Sequence, residues 1–351
     1  MRTLFVEHTH PDTQNPVSLC ARPRAVRILG TGVARPESRV ESREIDARLG
    51  LEPGTVQRRS GVRARFVETR RTAASLGAEA ARHALAVAGL SPEDVDCVVA
   101  ASASMDQAMP CNAALVHREL GLGASGIPAF DIGASCLGFL AAVDTLSWPL
   151  LAGRYRRVLI VAADIASCAL DWTDLGASAI FGDGAAAAVL GVDADSRASL
   201  LASAFSTYSE GAHLCEIPAG GSRNHPSRVD GDYVALARFR MDGPAVFRLV
   251  ARHMPTFVDT LLEAAGIQRD DLTLLVPHQA SHLAMRHITR ALDIPRERVI
   301  DIYADHGNQV AASLPSALHV AICSGRLRRG DLALLLGSGA GVSLGGIVLR
   351  Y

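Results

Sequence analysis

The sequence predicts an α/β protein made of two similar halves, and three observations carry the prediction. A helix, a polar link and a strand recur at one constant offset; the strand runs are apolar at every position; and a glycine-containing turn before a small-residue helix occurs once in each half.

The first copy of the repeat is EAARHALAVAGLSPEDVDCVVAASAS, ending at Ser104, and the second is TLLEAAGIQRDDLTLLVPHQAS, ending at Ser281. Matching Ala88-Gly89 to Ala265-Gly266 also sets Asp94 against Asp271 and Ser104 against Ser281. Each copy reads as a helix stopped by glycine, then a buried strand. The expected halves are residues 24–195 and 196–351, behind an N-terminal extension of residues 1–23. That extension carries His8, His10 and Asp12 but no continuous apolar run of the kind a secretory signal needs.

Strands exposed on one face alternate polar and apolar residues. The runs VLIVAA (158–163) and LALLL (332–336) do not, so helices should cover both faces of the sheets. Both runs fall far short of the roughly 20 residues that cross a bilayer, and no membrane span is expected. The turn-and-helix pattern appears as DIGASCLGFLAAVDTL and again as DHGNQVAASLPSALHVA, each followed by a basic link and a strand.

A formal charge of −1 gives no bulk electrostatic reason to expect nucleic acid as a partner. The seven cysteines form no CxxC pair, and without an export signal a cytoplasmic chain with reduced thiols is expected. Cys97 and Cys323 sit in apolar strand and helix patterns and read as packing residues.

Three positions stand out as chemical. Cys136, in GASCLGF, falls at a turn near a helix start, where unpaired N–H groups favour a thiolate; the plainer alternative is a small buried hydrophobe. His278, in PHQASH, closes a strand, where α/β folds deliver functional groups, although it can equally be a hydrogen-bonded core histidine. Asn308, in DHGNQVAAS, lies at a level comparable to Cys136 in the other half; helix capping is its alternative reading. A rival zinc site from His278, His282, His287 and a cysteine is poorly spaced and has no glutamate between the first pair, so no metal is expected. FGDGAAAAVLG (181–191) matches neither a dinucleotide nor a phosphate loop and reads as a tight strand entry. GSGAGVSLGG (337–346) reads the same way, with a backbone that can line an oxyanion site.

In their order, ILGTG, RRSGVRARF, ASCLGF, IFGDGAAAAVL, VPHQAS and HGNQVAAS make the chain resemble the thiolase superfamily. The resemblance is closest to the ketoacyl-acyl-carrier-protein synthase III family and runs from about Arg24 to Tyr351. It implies a five-layered α/β/α/β/α thiolase-like fold, a homodimer, acyl thioester substrates and no cofactor. It also implies that Cys136 accepts the acyl group, that His278 and Asn308 steady an enolate, and that the N–H groups of Cys136 and Ala340 hold the tetrahedral oxygen. Met109, before Pro110, matches a residue that closes the acyl pocket of the other subunit, and Ser338 stands where the family commonly has phenylalanine. Relatives that load from coenzyme A sandwich its adenine between tryptophan and arginine; Thr55 and Leu175 occupy those positions, while Arg59 keeps a basic one.

Separately, Arg286 and Arg290 are four residues apart on a predicted helix, a face that suits an acidic acyl carrier protein. The expected reaction is decarboxylative condensation of a Cys-bound acyl group with a malonyl-type or related β-ketoacyl thioester. The alternatives are acyl transfer to an alcohol or amine, nondecarboxylative condensation, or a non-catalytic heterodimer subunit.

Overall fold

The computed structural model describes residues 18–193 and 199–351. Two five-stranded sheets form its frame. In the first, the order is Val26–Ala34, Gly184–Val192, Arg157–Asp164, Cys97–Ala100, Ala129–Asp131. In the second it is Ser18–Cys20, Ser199–Thr207, Ser343–Arg350, Leu332–Gly339, Leu274–Pro277.

The repeat seen in the sequence is a repeat of topology. Cys97–Ala100 pairs in parallel with Arg157–Asp164, which runs antiparallel to Gly184–Val192. Leu274–Pro277 pairs in parallel with Leu332–Gly339, which runs antiparallel to Ser343–Arg350. The lead-in to each parallel strand is also the same. Gly89 (φ 69°) and Gly266 (φ 67°) end the preceding helices in the left-handed region, where glycine has no Cβ to clash. Asp94 and Asp271 then each accept the backbone N–H three residues back, from Ser91 at 2.8 Å and Gln268 at 2.7 Å.

Helices Gly138–Leu151 and Ser313–Cys323 lie between the sheets. Their Phe139, Leu140, Val143, Leu314 and Leu318 share one buried cluster with Val99 and Ile160 of the first sheet and Leu335 and Ile347 of the second. Ala73–Ala88 covers the outer face of the first sheet through Leu76 and Leu85, and Gly243–Ala265 covers that of the second through Phe257 and Leu261. Five layers result, as the resemblance implies, and the strand runs that lacked alternation are covered on both faces. Small residues make this thickness possible: a Cβ at Gly138 would run into the carbonyl oxygen of Ala101.

One part of the expected extension belongs to the frame. Ser18–Cys20 adds an antiparallel edge strand beside Ser199–Thr207, with Ser18 opposite Phe205. His8, His10, Asp12 and the expected join at 195/196 lie outside the described residues.

Candidate active site

Cys136 sits in a single turn of 3₁₀ helix, Ser135–Leu137, that opens directly into the buried helix Gly138–Leu151. The preceding Ser135 has φ 49°, a left-handed conformation that costs a non-glycine residue of order 1 kcal/mol and turns the chain sharply. Across from this turn, strand Leu332–Gly339 ends and the Ala340 N–H reaches the Cys136 sulfur.

His278 is the first residue after strand Leu274–Pro277 and is buried. Its N–H donates to the Leu336 carbonyl at 2.8 Å, and its own carbonyl accepts from Ala280 at 2.8 Å, which fixes the backbone. Gly337 lets the two segments meet: a Cβ there would lie 3.0 Å from both His278 Cβ and Leu137 Cδ2. Helix His282–Ala291 begins four residues later, so His278 and His282 do not share a helical face as an HxxxH pair would.

Asn308 is buried and backbone-anchored; its N–H donates to the Ile180 carbonyl at 2.8 Å, and its carbonyl accepts from Gly182 at 3.1 Å. The side-chain oxygen accepts from the Val310 N–H at 2.8 Å, which sets the amide's orientation. Nδ2 then points to the segment after His278, donating to the Ala280 carbonyl at 3.2 Å. One N–H of that amide remains for a ligand. Val310 has φ 54° and opens the turn Val310–Ala312 into helix Ser313–Cys323, the counterpart of Ser135 before the other buried helix.

Electrostatics correct one expectation. A helix start should favour the Cys136 thiolate, yet burial pushes the thiol up to about 12, and Cys215 and Asp164 push the same way. The Ala340 and Cys136 N–H groups oppose this without reversing it. Burial also holds His278 down to about 4, so its imidazole is neutral, and its Nδ1 is buried with no hydrogen-bond partner. The site thus holds a thiol and a neutral imidazole, chemically a proton donor and a proton acceptor.

Two supporting residues escaped the sequence reading. Asp164 ends the run VLIVAAD and is fully buried. Its Oδ1 accepts from the N–H groups of Ala103 and Ser104 and the Ser104 hydroxyl at 2.7–2.9 Å. Its Oδ2 accepts from Ala311 and Ala312 at 3.0 and 3.3 Å, clamping the turn after Asn308. Arg65, also fully buried, donates to the carbonyls of Ala179 and Phe181, and Phe181 is bridged to Asn308. A lone acid at the end of an apolar strand was the available signal, since burying an unpartnered carboxylate is costly.

The remaining predicted positions are spread more widely. Ser338 lines a cavity beside His278, whereas Met109 is 83% exposed and reaches no part of the site within one chain. Arg59, Arg286 and Arg290 are exposed and have no ion pair among the described residues. Leu175 is buried with Ile45 and Val56 in a small apolar cluster, and Thr55 begins the short helix that carries Arg59. Cys323 corrects the packing expectation: it is exposed, and its thiol contacts the His319 ring at 3.5 Å.

Comparison with known proteins agrees with this geometry. Residues 130–209 match 3-oxoacyl-(acyl-carrier-protein) synthase III, and residues 262–351 match the C-terminal region of the same family. A β-ketoacyl-(acyl-carrier-protein) synthase III of Rhizobium meliloti (strain 1021) is 35% identical over 331 residues, covering 92% of this chain and 98% of that protein. The crystal structure of 3-oxoacyl-(acyl carrier protein) synthase III from Pseudomonas aeruginosa PAO1 superposes with a TM-score of 0.84 at 35% identity, covering 93% of this chain and 98% of that one. The priming β-ketosynthase of a polyketide biosynthetic pathway gives a TM-score of 0.83 at 29% identity, covering 94% and 97%. With its two buried helices opening on Cys136 and on the turn after Asn308, the chain belongs to the 3-oxoacyl-(acyl-carrier-protein) synthase III family and is a thiolase-fold condensing enzyme, an acyltransferase of fatty-acid or secondary-metabolite synthesis.

Proposed function

We propose that the chain joins two acyl thioesters by decarboxylative condensation at Cys136, His278 and Asn308. In loading, the Cys136 sulfur attacks the donor carbonyl and its proton passes through His278 to the departing thiol. The N–H groups of Cys136 and Ala340 hold the tetrahedral oxygen. A malonyl-type thioester then loses carbon dioxide, and the electron pair of the broken bond passes into an enolate whose oxygen is held by His278 and the free Asn308 N–H. Its carbon attacks the Cys136 acyl group, the carbon–sulfur bond breaks, and the thiol regains a proton.

The oriented Asn308 amide carries this reading, because its oxygen is tied to the Val310 N–H and it has one N–H to give to an enolate oxygen.

Intact-mass analysis of loading, with product analysis of condensation, tests the assignment. Cys136→Ala abolishes the acyl adduct; Asn308→Ala still loads and His278→Ala loads more slowly but still forms some adduct, and both lose on the order of 100-fold or more in condensation. Native rates in all three variants refute the site; loss in Cys136→Ala alone refutes enolate stabilisation.

The donor in this reading is an acyl carrier protein. Leu175 brings neither the plane nor the charge of an arginine, while exposed Arg59, Arg286 and Arg290 suit an acidic partner. Matched acyl groups should load faster from the carrier than from coenzyme A, and faster loading from coenzyme A across a panel of chains refutes it. The chain works as a homodimer of two-half subunits, residues 24–195 and 196–351, with exposed Met109 closing the partner's pocket. Light scattering should give twice the 37.0 kDa of one chain.

A further inference from the structure

Burying a carboxylate costs more than burying a neutral acceptor, and fully buried Asp164 forms no ion pair among the described residues. Five donors meet it instead. The N–H groups of Ala103 and Ser104 and the Ser104 hydroxyl reach Oδ1, and the N–H groups of Ala311 and Ala312 reach Oδ2. The two oxygens therefore serve different halves of the chain. Oδ1 holds the segment after strand Cys97–Ala100 in the first, and Oδ2 holds the turn Val310–Ala312 in the second.

The Asn308 amide hangs from that second turn. The Val310 N–H, one residue before the two N–H groups that Asp164 draws in, donates to Asn308 Oδ1 at 2.8 Å, and this bond aims Nδ2 at the segment after His278. Where Oδ2 pulls Ala311 and Ala312 thus decides where the Val310 N–H stands, and through it where the Asn308 donor points. Resting on the condensation reading, we infer that Asp164 is a positioning residue for the Asn308 donor, setting it from the half that carries Cys136 while meeting no substrate itself.

Asp164→Asn keeps the side chain's size and turns one oxygen into NH2. The remaining oxygen suits the Ala103 and Ser104 side, with three donors against two, so the NH2 faces the N–H groups of Ala311 and Ala312 and undoes the Asn308 arm. Losing the charge also removes one of the pushes on the Cys136 thiol, so loading has no electrostatic cause to slow. Intact-mass kinetics should find loading within about threefold of the unaltered chain and condensation slowed about tenfold or more, because a displacement of about 1 Å costs on the order of 100-fold in rate. The double variant decides. In the Asn308→Ala background, Asp164→Asn should slow condensation by no more than about twofold further, since the group it positions is gone. Full additivity of the two losses overturns the proposal and leaves Asp164 a clamp for folding alone, as does an equal slowing of loading and condensation in Asp164→Asn. Should Asp164→Asn fail to fold, lactic acid in place of Ala311, which removes that N–H and keeps the methyl group and the carboxylate, carries the same prediction and the same refutation. A native condensation rate in Asn308→Ala overturns the enolate reading and this proposal with it, and is told apart because it arises with Asp164 unaltered.

Discussion

At the scale of single residues, the chemistry turns on how a protonated thiol attacks. With Cys136 near 12 and His278 near 4, free thiolate is scarce at neutral pH, and the proposed loading step would start from a thiol and a neutral imidazole. The rate of Cys136 acylation should then be nearly flat from about pH 5 to about pH 9, because neither group changes state there. Attack by a pre-formed thiolate would instead raise it about tenfold per pH unit. Stability follows the imidazole in a stated direction. Its folded value is depressed below the ordinary 6.5, so its contribution is present above 6.5 and is lost as pH falls through about 4. The placement of Cys136, His278 and Asn308 at element ends was legible in the sequence, because each lies beside a recognisable strand or helix start. The charge state of Cys136 was not: it depends on Cys215 and Asp164, which lie far away in the sequence and reach it only through packing.

At the scale of elements, two buried helices hold the site by their first residues, and their placement tolerates little. Alanine for glycine in a helix ordinarily favours folding, but at Gly138 the new Cβ meets the Ala101 carbonyl, so the helix must move and carry Cys136 with it. Gly138→Ala should cost about 1–3 kcal/mol and slow acylation in a variant that still unfolds cooperatively; calorimetry and intact-mass kinetics measure the two effects. Unchanged loading would show that the turn is not positioned by this contact. The strands were readable as unbroken apolar runs and the helices from their small-residue patterns, whereas the Asp164 clamp was not, since apart from the Ser104 hydroxyl its partners offer only backbone N–H groups, which leave no residue-type signature.

At the scale of the whole molecule, Arg24 fastens the layers together. Fully buried, it donates to Asp144 and Ser147 of the central helix and to Ser203 of the second sheet, and packs over the Trp148 ring. Asp144→Ala leaves this guanidinium buried without a carboxylate and should destabilise the fold by about 3 kcal/mol, while the double change Arg24→Met/Asp144→Leu should recover much of the loss. Urea unfolding of the three variants measures both; equal stability of the single and double variants would refute the coupling. Helix cover on both faces of the sheets could be anticipated from strand composition, and five layers from the resemblance.

The doubled frame also works as a ledger of absences. Counting from the matched strands sets Ala101 against His278; counting from the matched left-handed turns sets Gly133 against Asn308 and Ala311 against Cys136. Six equivalent seats therefore exist, and each chemical group fills one while its twin holds alanine or glycine. The halves differ in kind: one carries Cys136, and the other carries His278 and Asn308. Neither half alone holds all three groups, so a reaction that needs them together needs both halves.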